Sequence, residues 1–353
     1  MKLVRKRRLA WLGILLAFGL IAAACGDDDD DTAAGDEDGS STDEATDGGE
    51  VSGEINISGS STVEPISALA AEAFAGENPD VSIAVDGPGT GDGFELFCAG
   101  ETDISDASRP IEDEEIANCE ASGIEYVELQ IAFDGMAVMT NANNPNLPEC
   151  LSFADLYALI GPESEGFNNW SDAQSLAQEL GSDTQFPDAP LDLTGPGTES
   201  GTYDSFIEIA LAGIAEEERG LPEDQIETTR TDYASSADDN VIIDNIEASE
   251  SSLGWVGFAF AEEASEGVAE IPITAEPDGD CVEPSADTIS DGSYPLSRPL
   301  FIYPSTAAAE ENPAVAPFVD FYLENLAQFV EEGGYVTMPD DQVEATASAW
   351  EGR

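Results

Sequence analysis

Histidine is absent from this 353-residue chain, and lysine does not occur after Lys6. Beyond Cys25 the only cations are Arg109, Arg219, Arg230, Arg298 and Arg353, set against 75 acidic residues that all lie in the same stretch. These absences exclude several chemistries from that stretch. A serine or cysteine nucleophile has no histidine or lysine to activate it. A zinc site has no histidine, and no Cys-x-x-Cys spacing occurs. A surface so poor in cations cannot neutralise phosphodiester backbones, so nucleic acid is excluded as a partner. Paired carboxylates are plentiful, which leaves glycoside hydrolysis open on composition alone. No metal or cofactor is expected.

What cationic charge there is lies mostly at the start. Lys2, Arg5, Lys6, Arg7 and Arg8 precede an apolar run from Leu9 to Ala24. That run is shorter than the ~20 residues that span a bilayer and fits a secretory segment. It ends in Ala22-Ala-Ala-Cys25-Gly26, which resembles a bacterial lipoprotein processing site, with Ala where Leu is usual three residues before the cysteine. The expectation is a signal peptide at 1–24 and a lipid on Cys25. The protein would then sit outside the cytoplasm, anchored to the outer face of the cytoplasmic membrane. Residues 26–50 contain no large apolar side chain and read, with Cys25, as an acidic disordered tether over 25–50. The remaining ~300 residues suffice for two lobes, each with a core. Cys98, Cys119, Cys150 and Cys281 suit an oxidising compartment. They allow three pairings, of which Cys98–Cys119, flanking the Arg109 segment, and Cys150–Cys281 are expected. The acidity itself reads as a solvated surface suited to high salt, where charges are screened within ~3 Å at 1 M.

Short apolar strands alternate with helical stretches, the pattern of α/β layers. Strands are expected at Glu54–Ser58, Val81–Asp86, Tyr126–Gln130, Met136–Asn141, Leu191–Gly195, Leu253–Phe260, Val268–Ile273 and Pro299–Tyr303. Helices are expected at Pro65–Ala75, Ser200–Ala215 and Ala237–Ile246 from apolar residues three and four apart. Four turns rich in Gly, Ser and Thr recur: Gly59–Pro65, Gly87–Gly93, Asp103–Pro110 and Gly195–Thr202. Any one of them is an ordinary helix cap. The Gly87 turn lacks the lysine of a nucleotide-binding loop. Together, however, they would aim N–H groups and hydroxyls at an anion above helix N-termini. Arg109, a lone cation among hydroxyls in Asp103–Pro110, would help to hold that oxyanion.

The ordered segments GSSTVEPIS, GPGTGDGF, TDISDASRPI, DGMAVMTN, GPGTESGTYDSF, SSADDNVII, LGWVGFAF and YPLSRPLFIYP resemble those of the phosphate-binding component of bacterial phosphate ABC importers, over about residues 53–350. The resemblance implies a type II periplasmic binding protein: two α/β lobes joined by a two-crossing hinge, with the ligand in the cleft. It divides the chain into a first lobe of 51–137 plus 296–353 and a second of 138–295. It implies inorganic phosphate as ligand and the importer's membrane permease subunits as partners. It also implies a monomer and no enzymatic activity. Another oxyanion (sulfate, molybdate or an organic phosphate) is the alternative ligand, and a hydrolase the more distant alternative. The family's first hydroxyl turn falls on Ser61 and Thr62, with Ser60 adjacent. Its second falls on Thr90 and Gly91, its third on Ser108 and Arg109, and its Ser-Gly-Thr helix start on Ser200, Gly201 and Thr202. Two departures stand out. Many members carry an arginine just before that helix start, where this chain has Gly195-Pro196-Gly197, and an aspartate where it has Ser108. The chain resembles instead the subgroup with Ala-Ser-Arg. Asp239, or alternatively Asp106, is the expected carboxylate acceptor for the ligand's proton. Arg298 is expected to serve structure near the return hinge strand, Arg219 and Arg230 to form ion pairs, and Arg353 to be terminal.

Overall fold

The computed structural model describes residues 51–353; the expected signal peptide, the lipid-bearing Cys25 and the tether at 25–50 lie outside the described residues. Among the described residues there are eleven strands: β1 Gly53–Gly59, β2 Val81–Asp86, β3 Ile104–Ala107, β4 Leu129–Asn141, β5 Leu151–Ser152, β6 Asp192–Pro196, β7 Ala234–Ser236, β8 Ser252–Gly257, β9 Val268–Glu270, β10 Ile273–Thr274 and β11 Ser297–Pro304. Nine of them make one sheet in the order β2-β1-β3-β11-β4-β8-β6-β7, with β9 also on β4, while β5 and β10 pair separately.

Strand β4 organises this sheet. Its first half pairs antiparallel with β11, as far as Gly135 opposite Ser297. From Met136 onward it pairs with β8, and from Met139 with β9. The strand therefore changes partners between Gly135 and Met136, and the sheet has two halves that share it. The chain returns to the first half once, at β11, which inserts between β3 and β4.

One apolar cluster runs through both halves, and each half adds a smaller one of its own. Helix Glu64–Glu77 buries Ile66, Ala70 and Phe74, and Phe74 meets Phe318 edge-on at 5.5 Å. On the opposite face of the first half, Phe94 and Phe97 pack with Tyr303 and the paired cysteines Cys98 and Cys119. In the second half Phe206 stacks on Trp255 at 4.8 Å, and helix Phe153–Ile160 is buried along nearly its whole length. Each large side chain so buried contributes roughly 1.5–3 kcal/mol.

The disulfides are Cys98–Cys119 and Cys150–Cys281, as expected. Among the described residues no helix is long and apolar enough to cross a membrane.

Several elements differ from the sequence expectation. The expected strands Tyr126–Gln130 and Met136–Asn141 belong to the single strand β4, which begins only at Leu129. The strand expected to reach Phe260 stops at Gly257, and helix Phe258–Glu262 follows. Val268–Ile273 splits into β9 and the start of β10. The expected helix Ser200–Ala215 is α-helical over Gly201–Phe206 and then widens into π-helical turns at Ile207–Leu211 and Ile214–Glu218.

Candidate functional site

Strand β1 ends at Gly59, where the backbone runs against that of β3. A side chain at Gly59 would fall 1.9 Å from the Asp106 carbonyl oxygen, and one at Gly93 would fall 2.4 Å from the Gly59 Cα. Only glycines allow the first and second turns to close on each other. Past Gly59, the Ser60 N–H donates to the Asp106 carbonyl at 2.8 Å, and the Ser60 hydroxyl accepts from the Thr62 N–H at 3.2 Å. This fixes the loop that enters helix Glu64–Glu77.

The second and third turns meet beside it. The Ser108 N–H donates to the Thr90 hydroxyl at 3.2 Å, and the two hydroxyls share a hydrogen bond at 3.0 Å. Thr90, Gly91, Ser108 and Arg109 border one cavity of about 630 Å³, together with Arg298 and Glu208. The fourth turn faces the first. Ser200 caps its helix by accepting the Thr202 N–H at 3.3 Å. Gly201 lies so near the first turn that a Cβ there would come within 3.6 Å of the Ser61 carbonyl oxygen and the Thr62 Cα. Two further contacts tie these turns. The Ser61 hydroxyl donates to Asp204 at 3.1 Å, and the hydroxyls of Thr62 and Ser205 lie 3.1 Å apart.

The two arginines at the cavity are held differently. Arg109 donates to both oxygens of Glu115, at 2.9 and 2.7 Å, and pairs with Glu112 at 3.3 Å. These partners belong to the next segment of the same half, and chiefly the bonds from Glu115 hold the guanidinium pKa above its ordinary value. Arg298, on β11, reaches across. One Nη donates to Thr62 at 2.9 Å and to Ser205 at 2.8 Å. The other bonds Glu208, and Nε lies 3.5 Å from the buried Asp134 of β4. Arg298 thus does more than support the return strand: it touches β4, the first turn and the helix of the fourth turn at once.

The expected carboxylate acceptors stand apart from the cavity. Asp239 accepts the Gly257 N–H at 3.2 Å, and burial raises its pKa. Asp106 points beneath β3 towards Ser67 and Tyr322. Of the carboxylates that do reach the site, Asp204 is bonded by Ser61 and raised by burial, while Glu208, Asp92 and Glu227 border the cavity. Sequence reasoning missed Asp204, Ser205 and Glu208. Their one signal was polar residues interrupting the otherwise apolar helix that follows Ser200-Gly-Thr.

Arg219 pairs with Glu163 and Glu179, and Arg230 pairs with Asp232. Chemically, the cavity offers the hydroxyls of Thr90 and Ser108, two guanidinium groups and the carboxylates of Asp92, Glu208 and Glu227. Among the described residues no cluster of three or more His, Cys, Asp or Glu could hold a metal.

Residues 41–325 match the PBP superfamily domain. Protein SphX of Synechococcus elongatus is 37% identical over 287 residues, spanning 81% of this chain and 77% of that protein. The phosphate-binding protein PstS of Staphylococcus haemolyticus is 35% identical over 291 residues, 82% of this chain and 83% of that protein. Among solved structures, a possible phosphate binding protein from Planctomyces limnophilus superposes with a TM-score of 0.75 at 36% identity, over 86% of this chain and 99% of the other.

Proposed function

The chain belongs to the PBP superfamily and has the α/β architecture of a type II periplasmic binding protein, and from that premise we propose that it binds inorganic phosphate outside the cytoplasm and delivers it to the permease of an ABC importer. The observation that carries this reading is the meeting of hydroxyl-bearing turns from separate parts of the chain beside one cavity that also holds Arg109 and Arg298. The PstS relative and the Planctomyces structure, named for phosphate binding, support it and speak for a receptor rather than an enzyme.

In this reading the lobes are 51–137 plus 296–353 and 138–295, and phosphate lies in the cleft between them. Its ligands are drawn from Ser60, Ser61, Thr62, Thr90, Gly91, Ser108, Arg109, Ser200, Gly201 and Thr202; Asp239, which does not border the cavity as it stands, is the proton acceptor only if closure of the lobes brings it to the anion. Hydrogen bonds to a charged group are worth roughly 1.5–3 kcal/mol each, and a guanidinium adds a bidentate contact. Neutral donors satisfy the oxygens without a cation for each charge. A carboxylate acceptor would reject sulfate, which has no proton to give it near neutral pH. Phosphate bridging the lobes favours the closed form, and the permease reopens it. The receptor acts as a monomer held to the membrane by a lipid on Cys25.

Calorimetry on the tether-free domain in high salt tests the ligand, with phosphate expected to bind and sulfate, molybdate and an organic phosphate to compete poorly. Absence of phosphate heat, or equal competition by sulfate, overturns the reading. Cys25→Ala should move the full chain from the membrane to the soluble fraction; retention in the membrane would exclude the lipid anchor.

A further inference from the structure

We propose that Arg298 is a cation of the anion site whose exchangeable face is guarded by Glu208, so that this carboxylate competes with the incoming anion and sets both its affinity and its release. The inference rests on the phosphate reading and concerns how that ligand is held.

The partners of Arg298 fall into two kinds. Asp134 is 6% exposed and sits on β4, while Thr62 and Ser205 are buried and hydrogen-bonded to each other. These fix the guanidinium on one side and are not free to leave. Glu208 is different: its side chain is 48% exposed, it projects from the π-helical segment Ile207–Leu211, and it borders the same cavity as Thr90 and Ser108. Of the four partners it alone is both charged and half in solvent. The Nη1 of Arg298 therefore faces the cavity through a bond that solvent can exchange.

An oxyanion entering beside Ser108 meets this Nη1 already bonded to a carboxylate. Two anions on one guanidinium edge repel, so the ligand must displace Glu208 to use it. The displaced side chain can swing into water, since it is half-exposed where it stands. On release the exchange reverses, and Glu208 replaces the departing anion at the guanidinium. The terminal nitrogens of Arg109 offer no equivalent exchange; only its Nε has an exposed carboxylate partner, Glu112 at 3.3 Å. Glu115 is bonded to both terminal nitrogens and also accepts the Glu112 N–H, so it is held in its own helix cap.

The test uses phosphate with the mature chain, by calorimetry and stopped-flow dissociation. Glu208→Gln keeps the size of the side chain and removes the competing charge. It should tighten phosphate three- to tenfold, mainly through slower dissociation. Arg298→Lys should weaken it more than tenfold, because a point charge cannot serve Ser205, Thr62 and the anion together. Glu208→Gln alters a half-exposed side chain, so an unchanged melting temperature is expected to accompany its tighter binding. If the wild type gives no phosphate heat, the phosphate reading itself fails. If the wild type binds but Glu208→Gln binds equally or more weakly, or if Arg298→Lys leaves affinity intact, the competitor role is overturned while the phosphate reading stands.

Discussion

At the scale of single residues, Asp106 carries a cost that pH can switch. Both of its carboxylate oxygens are buried on β3 without a hydrogen-bond partner in good geometry. Burial, the largest effect, raises its pKa to about 7; Ser67 lowers it slightly, and Glu64 raises it further. In the unfolded chain the group titrates near 3.8. Between those values the folded state holds a proton that the unfolded state has lost, so stability falls as pH rises through that window and levels off above it. Asp106→Asn removes this dependence. In urea unfolding its advantage over the wild type should grow from pH 5 to pH 8 and reach roughly 1–3 kcal/mol, the range for relieving one unpartnered buried polar group. Parallel pH profiles for the two proteins would contradict the assignment. The sequence placed Asp106 in a turn rich in Ser and Asp and made it an alternative ligand acceptor. Its direction was not legible there, because a four-residue strand shows too little alternation to tell which face is buried. Ile104 joins the core under helix Glu64–Glu77 and Ala107 the core on the other face, which puts Asp106 with Ile104, while Ser108, past the end of β3, borders the cavity. Arg298 was hidden for a related reason: a strand residue followed by proline reads as structural until its neighbours Thr62, Ser205 and Glu208, distant in sequence, are known.

Among elements, the two disulfides close loops of very different length, with sequence separations of 21 for Cys98–Cys119 and 131 for Cys150–Cys281. The chain-entropy relation gives the longer loop an advantage of about 1.6 kcal/mol. Replacing Cys150 and Cys281 together by alanine should therefore cost more stability than replacing Cys98 and Cys119, as read from guanidinium midpoints and slopes. The reverse order would show that packing of Cys98 and Cys119 among Phe94, Phe97 and Tyr303 outweighs the loop term. Strands β1, β2 and β11 were legible because each is an apolar run closed by Gly or Pro. Strand β4 was read as two, since Asp134-Gly135 looks like a turn. In the fold those residues have other duties. Gly135 makes room for Ile289, which a Cβ there would approach to 2.6 Å, and Asp134 pairs with Arg298. The helix after Ser200 was legible at its start, where Ser200 caps it. It was not legible beyond Phe206, because apolar spacing does not distinguish α from π turns.

For the molecule as a whole, 75 acidic residues against ten basic ones make self-repulsion the dominant long-range force. Raising potassium chloride from ~0.1 to ~1 M shortens the screening length from ~10 to ~3 Å, so the melting temperature should rise across that range. A flat or falling curve would mean that the acidic surface is neutral to stability. The way the chain is threaded has a separate consequence, for the order in which the protein comes into being. Strand β11, which sits between β3 and β4, is the last strand in sequence, whereas every strand of the half built on β8, β6 and β7 precedes it. As the chain emerges end-first, that second half can assemble while the first is still missing its middle strand. Until Ser297–Pro304 arrives, β3 and the first part of β4 each present an unpaired edge, the kind of surface on which nascent chains stick to one another. A truncation just before Ser297 would therefore leave a protein half finished, with an adhesive seam through the unfinished half, and the need for factors that hold the chain apart from its neighbours should end only when the final strand slots in.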